Sequence, residues 1–337
     1  MKTTTKRLFA ALALLLAFAL VFTACGGEQS SGGSEDDKDG NTDGENNGDG
    51  NGDAENDDWE NSDDTEAAQN VTYTRDGNYI YFGEYPQTVK ADDVRIGKTM
   101  DARGYYRGSD GAYYAKVTAT PRYEEDDRFS TGDSVTEGSV YYFKVEPIRW
   151  RILTESGDTA LVLCDSIIEA KAYDADANNN YAESDIRAWL NAEFYQTAFN
   201  TLQKELINTE LVDNSSSTTC NKHHFNGIEN PYACEDTNDK VFLLSYADVT
   251  DPSYGFQQGI VYDATREKRV TDYARAIGVE TSESSGYVNG FWWLRSPVGS
   301  EWWNDLAYMV SPDSVVDSYP VPHDKFGVVP ALEFCLR

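Results

Sequence analysis

No Gly-x-Ser-x-Gly, His-Glu-x-x-His or glycine-rich phosphate loop occurs in the chain, so the common signatures of serine hydrolases, zinc peptidases and nucleotide-binding enzymes are absent. Basic residues are scarce as well. Lys and Arg number 28 against 58 Asp and Glu, a net charge of −30. With no basic stripe to displace counterions, nucleic acid is excluded as a partner. The longest apolar run, residues 8–22, falls short of the roughly 20 residues that span a bilayer as a helix. Between residues 26 and 70 there is no proline and one aromatic, Trp59. That stretch also lacks the full D-x-[DN]-x-[DN]-G-x5-E register of a calcium loop.

What is present at the start is an export signal. Lys2, Lys6 and Arg7 precede the apolar run, and Phe22-Thr23-Ala24-Cys25-Gly26-Gly27 follows it. Small residues before a cysteine are what signal peptidase requires when that cysteine is to carry diacylglycerol. The segment resembles the lipobox of bacterial lipoproteins, with Phe22 where Leu is commonest. Residues 1–24 are therefore expected to be removed, leaving Cys25 lipidated. The protein would then sit on the extracellular face of the bacterial cell membrane. Acyl chains bind membrane at about 0.8 kcal/mol per buried methylene, and two of them anchor stably.

Residues 25–70 read as an acidic disordered tether. Between Ser34 and Glu66 fifteen acids oppose Lys38 alone, a net of −14 out of the chain's −30. Such a segment cannot bury enough apolar surface to offset its ordering entropy. As a coil its span is roughly 35–40 Å, extended further by self-repulsion.

Residues 71–337 form the folded part, long enough for one large domain. Asn78-Tyr-Ile-Tyr-Phe-Gly-Glu-Tyr-Pro-Gln-Thr88 alternates aromatic with small or polar residues and predicts a strand. Residues 140–153 and 160–164 predict two strands joined by a turn at 155–158, with Pro147 at an edge or bulge. Tyr105, Tyr106, Tyr113 and Tyr114 suggest a short hairpin inside the polar stretch 90–138. From Ser184, the residues Ile186, Trp189, Leu190, Phe194, Ala198 and Phe199 recur at helical spacing and form an apolar stripe. Asn200 and Gln203 spell a capping box for a second helix. A strand at 241–244, a helix at 266–277 closed by Gly278, and late strands at 291–294, 307–310 and 328–334 complete the reading. Strands around a central helical block predict an α+β domain with mixed or antiparallel sheet.

Four cysteines remain after Cys25. Cys220 and Cys234 bracket a turn-rich stretch and could form a disulfide; Cys164 and Cys335 lie in apolar runs as buried thiols or a second bridge. Cys220, His223, His224 and Cys234 also have the ligand types of a zinc site.

Several motifs resemble, in order, the bacterial surface and secreted proteins grouped as domain of unknown function 6273. They are Phe82-Gly-Glu-Tyr-Pro-Gln87, Pro147-Ile-Arg-Trp150, Ile186-Arg-Ala-Trp-Leu-Asn-Ala-Glu-Phe-Tyr195, Asp239-Lys-Val-Phe-Leu-Leu-Ser245, Trp293-Leu-Arg-Ser-Pro297 and Gly327-Val-Val-Pro-Ala-Leu332. The last usually carries an arginine where Val329 stands here. More distantly the layout resembles the C-type-lectin-like fold of formylglycine-generating enzymes. That resemblance implies a fold and no activity.

Candidate ligand-facing residues are Trp292, Trp293, Trp302 and Trp303, because exposed indoles make platforms for sugar faces, with one of each pair expected to point inward on a strand. Arg295 is either a clamp for a carboxylate or sugar ring, or one half of a partly buried ion pair. Trp303-Asn304-Asp305 spells the tripeptide that supplies calcium ligands in C-type lectins, making Asn304 and Asp305 the candidate metal residues, although the companion Glu-Pro-Asn is missing. No other cofactor is implied and no catalytic residue is assigned. The expectation is a non-catalytic surface binding domain for carbohydrate or cell-wall polymer. The alternatives are a structural or protein-interaction module and an enzyme on the same fold.

Overall fold

The computed structural model describes residues 72–123, 127–219, 234–282, 289–298 and 305–336. The leader, Cys25, the tether, Cys220, His223, His224, Trp302, Trp303 and Asn304 lie outside the described residues.

The organising element is the strand Val140–Ser156. Around its centre Ile148, Trp150 and Ile152 are buried while Arg149 is exposed and Arg151 half-buried, the period-two pattern of a sheet with one covered face. Its length lets it serve three neighbours. One edge pairs along its course with Tyr79–Val89; the other pairs first with Tyr113–Thr118 and then with Thr159–Cys164. The last in turn pairs with Ala331–Cys335, and all these pairings are antiparallel. Pro147 sits opposite Glu84, where the register shifts after Tyr81, so the missing N–H falls at a bulge as its chemistry demands.

The buried sheet face meets the helical block. Ser184 caps the helix Asp185–Trp189, accepting a hydrogen bond from the Arg187 N–H. The chain continues through a π-helical turn, Leu190–Phe194, into Tyr195–Ala198. Ile186, Leu190 and Phe194 are buried, and the Phe199 ring lies 5.0 Å from Phe82 and 6.3 Å from Trp150. The Asn200–Gln203 capping box is complete at the helix Thr201–Lys204.

A second sheet of five strands runs in the order Val316–Pro320, Leu306–Val310, Trp292–Val298, Gly327–Val328, Glu169–Ala170. It is mixed, because Trp292–Val298 is antiparallel to Leu306–Val310 but parallel to Gly327–Val328. The fold is thus sheet-rich α+β with few helices, and every described residue falls in one unit, 56–337.

Two expected elements differ. The helix expected from residue 266 begins instead at Asp272–Ala276, capped by Thr271. The preceding residues do not continue it: Arg266 ends a 3-10 turn, Ala264–Arg266, and Arg269–Val270 pairs in parallel with Ser166–Ile167. Residues 241–244 are all buried, as expected, but form a single bridge from Phe242 to Ala331 and no strand. Their other backbone bonds go to side chains and to the Arg295 N–H, as the next section describes.

Candidate ligand-binding cleft

The strand Trp292–Val298 leaves its ladder between Trp293 and Pro297, and Arg295 sits in that irregularity. Freed from the neighbouring strand, the Arg295 N–H donates to the Leu244 carbonyl at 2.9 Å. Its guanidinium follows the same direction. Nη1 donates to the Leu243 carbonyl at 2.9 Å and to Asp248 Oδ2 at 2.6 Å, and Nη2 to the Asp213 carbonyl at 3.2 Å. Asp248 is fixed by a reciprocal pair with Ser245: the Ser245 N–H donates to Oδ2 at 2.8 Å, and the Asp248 N–H to Ser245 Oγ at 3.0 Å. Arg295 is 4% exposed, and its buried Nε–H has no acceptor among the described residues. A buried donor left unpaired costs about 1–3 kcal/mol, so this position calls for an explanation.

Arg295 lines a cleft of about 370 Å³ together with Glu210, Asp213, Thr218, Asp248, Tyr254, Thr159 and Glu333. Glu210 lies on the short strand Glu210–Val212 and Glu333 on Ala331–Cys335. The chain between Ile207 and Asn208 runs along the outer edge of the latter, bridging Ile207 to Phe334 and donating from Asn208 N to the Glu333 carbonyl at 3.0 Å. That docking brings Glu210 and Glu333 into the lining of the same cleft. The Glu333 carboxyl, helped by partial burial, pushes the Glu210 carboxyl up to about 7, and Glu333 is held below its ordinary value by Glu210. Asp213 is held below the usual carboxylate range, first by the backbone N–H of Ser215 at 2.8 Å.

A second, more polar cleft of about 790 Å³ is lined by Tyr81, Gln87, Arg149 and Asp165 among others. Several of its polar groups are engaged with one another: Arg149 pairs with Asp165 at 3.4 Å and lies over the Tyr79 ring at 3.7 Å, while Gln87 and Thr88 are held by Glu146. The Arg295 cleft differs in having a buried, ion-paired arginine in its wall.

Trp292 and Trp293 are not where a sugar platform requires them. Both are fully buried, their indole N–H groups donating to the carbonyls of Arg266 at 3.2 Å and Lys171 at 2.9 Å. The expected split of one inward and one outward indole fails because every residue of Trp292–Val298 is buried, so the strand is covered on both faces. Of the calcium tripeptide only Asp305 is described, and among the described residues no three His, Cys, Asp or Glu side chains gather as a metal site. Cys164, Cys234 and Cys335 are free thiols. Cys220, the partner expected for Cys234, lies outside the described residues. A Cys164–Cys335 bridge is ruled out by register, since Cys335 pairs with Thr159 at one end of the ladder and Cys164 follows Leu163 at the other.

Residues 157–335 match the family described as Domain of unknown function (DUF6273), more than half of the chain. The protein belongs to that family. No curated protein and no solved structure matches it.

Within the span matched to DUF6273, the shared motifs converge on residues 239–245. Asn191, in the helical motif, accepts from the N–H groups of Lys240 and Val241 at 2.7 and 3.2 Å and donates to the Val241 carbonyl at 2.9 Å. Arg187 of the same motif pairs with buried Asp239 at 2.7 Å. Phe242 exchanges backbone bonds with Ala331 of the closing motif, and Leu243 and Leu244 accept from Arg295. The motifs are thus scaffolding that aims Arg295. The Phe82–Gln87 and Pro147–Trp150 motifs precede the matched span.

Glu210, Asp213, Asp248 and Tyr254 carried no signal in the sequence. They are ordinary surface-type residues whose meaning depends on which distant strand they meet.

Proposed function

We propose that this DUF6273 protein is a lipid-anchored envelope protein that displays a non-catalytic binding domain, and that the Arg295 cleft takes a hydroxyl-rich envelope polymer. The observation that carries the reading is a cleft in which the buried Arg295 guanidinium, paired with Asp248 at 2.6 Å, is joined by four carboxyl side chains and Tyr254. Carboxylates, an arginine and one half-buried aromatic ring are the groups that bind hydroxyls and cover an apolar sugar face. The sequence supports display: the basic and apolar leader, Cys25 and an acidic spacer fit a domain held away from a membrane. The C-type-lectin-like arrangement belongs to the same reading, supported by first and last strands that join one sheet.

Glycan-array and cell-wall binding of the whole chain test this, with Tyr254→Ala and Asp213→Asn as cleft variants and Trp302→Ala with Trp303→Ala as the indole variants. Loss of binding by about tenfold in the cleft variants is the expected result. Loss only in the indole variants would move the site to 302–303, and capture of a protein partner alone would favour an interaction module.

A further inference from the structure

We infer a second carbohydrate subsite: the polar cleft lined by Tyr81, Arg149 and Arg269 takes a neutral pyranose unit, with the exposed Tyr262 ring at its rim as the stacking platform. The ligand class rests on the binding reading above. The site itself is independent of the Arg295 cleft, with which it shares no lining residue.

Tyr262 has the exposure that Trp292 and Trp293 lack. It is 59% exposed, and its hydroxyl donates at 3.1 Å to Oε1 of Glu267, a residue of the cleft wall. A ring tied down by its hydroxyl has little freedom left to lose on binding, so its face is a ready apolar surface for a sugar ring.

The loop that carries Tyr262 is built around buried charge. The Arg266 guanidinium is fully buried and donates to the carbonyls of Gln257, Gly259 and Val261, the last two at 2.9 and 2.8 Å. Asp263, 1% exposed, closes the loop by accepting from Gln257 N at 2.7 Å. Val261 and Tyr262 are therefore held out in solvent on a fixed backbone. Exposed side chains on a loop braced in this way, beside a cleft, have the arrangement of a recognition site.

The cleft supplies the polar half. Its volume of about 790 Å³ falls within the roughly 300–1,000 Å³ of ligand sites. Arg269 is exposed, and among the described residues its guanidinium makes no hydrogen bond or ion pair; the half-buried Tyr81 hydroxyl is likewise without a partner. Arg149, held by Asp165 and the Tyr79 ring, keeps 44% of its side chain exposed. Strand register sets these groups in a row. Tyr81 lies opposite Arg149, Asp165 N donates to the Arg149 carbonyl at 2.9 Å, and Ser166 lies opposite Arg269. The two arginines share the cleft with three carboxylates, Glu146, Asp165 and Glu267, so no single charge dominates it. Donors and acceptors side by side suit hydroxyls, each of which gives one hydrogen bond and accepts others.

The test titrates the whole chain at neutral pH with β-1,4 tetramers of N-acetylglucosamine and of glucose, and with polygalacturonate as the charged comparison. The parent is set beside Tyr262→Ala, Tyr262→Phe, Arg269→Met and the Arg295-cleft variant Tyr254→Ala. Binding of a neutral tetramer that falls about tenfold in Tyr262→Ala and in Arg269→Met, and about threefold or less in Tyr262→Phe, is the expected result. Both side chains are exposed, so the melting temperature should stay at the parent's value. Unchanged affinity in either Tyr262→Ala or Arg269→Met overturns the subsite, and a loss in Tyr254→Ala would then leave the Arg295 reading standing. Tighter binding of polygalacturonate than of both tetramers overturns the neutral class. Binding of none of the three overturns both sites.

Discussion

The indole Nε1 of Trp150 donates to the carbonyl of Phe82 at 2.8 Å, tying together two strands whose residues lie 68 apart in sequence. Phe82 is followed by Gly83, at φ +68°, in the register shift where the strand bends over the helical block. A Cβ there would lie 2.5 Å from Phe199 Cε1 and 2.9 Å from the Ala198 carbonyl. Gly83→Ala is expected to lower stability by about 2–4 kcal/mol, combining left-handed strain with overpacking. Urea denaturation measures it, and a loss below half a kilocalorie would show that the helix moves aside.

Arg295 and Asp248 should be far from interchangeable with neutral residues. Removing the guanidinium leaves Asp248 Oδ2 with the Ser245 N–H alone and takes a donor from the carbonyls of Leu243 and Asp213. Arg295→Met is expected to cost about 3–5 kcal/mol, where the double change Arg295→Met with Asp248→Leu costs less than the sum of the singles. Additive losses in that cycle would mean the pair is not coupled.

The carboxyl pair should imprint on stability against pH. Because Glu210 is raised from 4.5 to about 7, the native chain binds more protons than the unfolded chain between those values. Stability from this group is complete below pH 4.5 and is lost as pH rises through 7. In Glu210→Gln the melting temperature should be flatter across that window than in the parent, and parallel curves would argue that Glu210 is not raised.

Lys268 behaves in the opposite sense. It is fully buried, and its Nζ donates to the Cys164 carbonyl at 2.7 Å. Burial lowers its amine from 10.5 to about 8. Between those values the unfolded chain holds the proton and the native one does not, so stability rises with pH across that window. Lys268→Met removes a buried charge and is expected to raise stability at neutral pH by about 1–2 kcal/mol while abolishing the alkaline rise. A destabilised variant would show instead that the Cys164 carbonyl depends on this donor.

Lipidation is read most directly by chemistry. Cys25→Ser is expected to abolish incorporation of a fatty-acid label and to leave the leader uncleaved. Persistent labelling would contradict the assignment to Cys25.

Features with a local physical cause were legible in the chain itself. Ser184 and Asn200 cap helices because their side chains reach N–H groups three residues away, and alternation around Trp150 reports one covered sheet face wherever that strand sits. The helical stripe from Ile186 to Phe199 likewise follows from spacing alone. Trp292 and Trp293 show the limit. Aromatic content predicted indoles facing a ligand, but whether a strand is covered on one face or both depends on the elements stacked around it, and here both faces are covered. The cleft was invisible for the same reason. Asp248 meets Arg295 across 47 residues, and Glu210 lines the same cleft as Glu333 only because Asn208 docks on the closing strand. Hydropathy and spacing along the chain record what each residue is; the charge that faces it across a cleft is decided by the packing of distant strands.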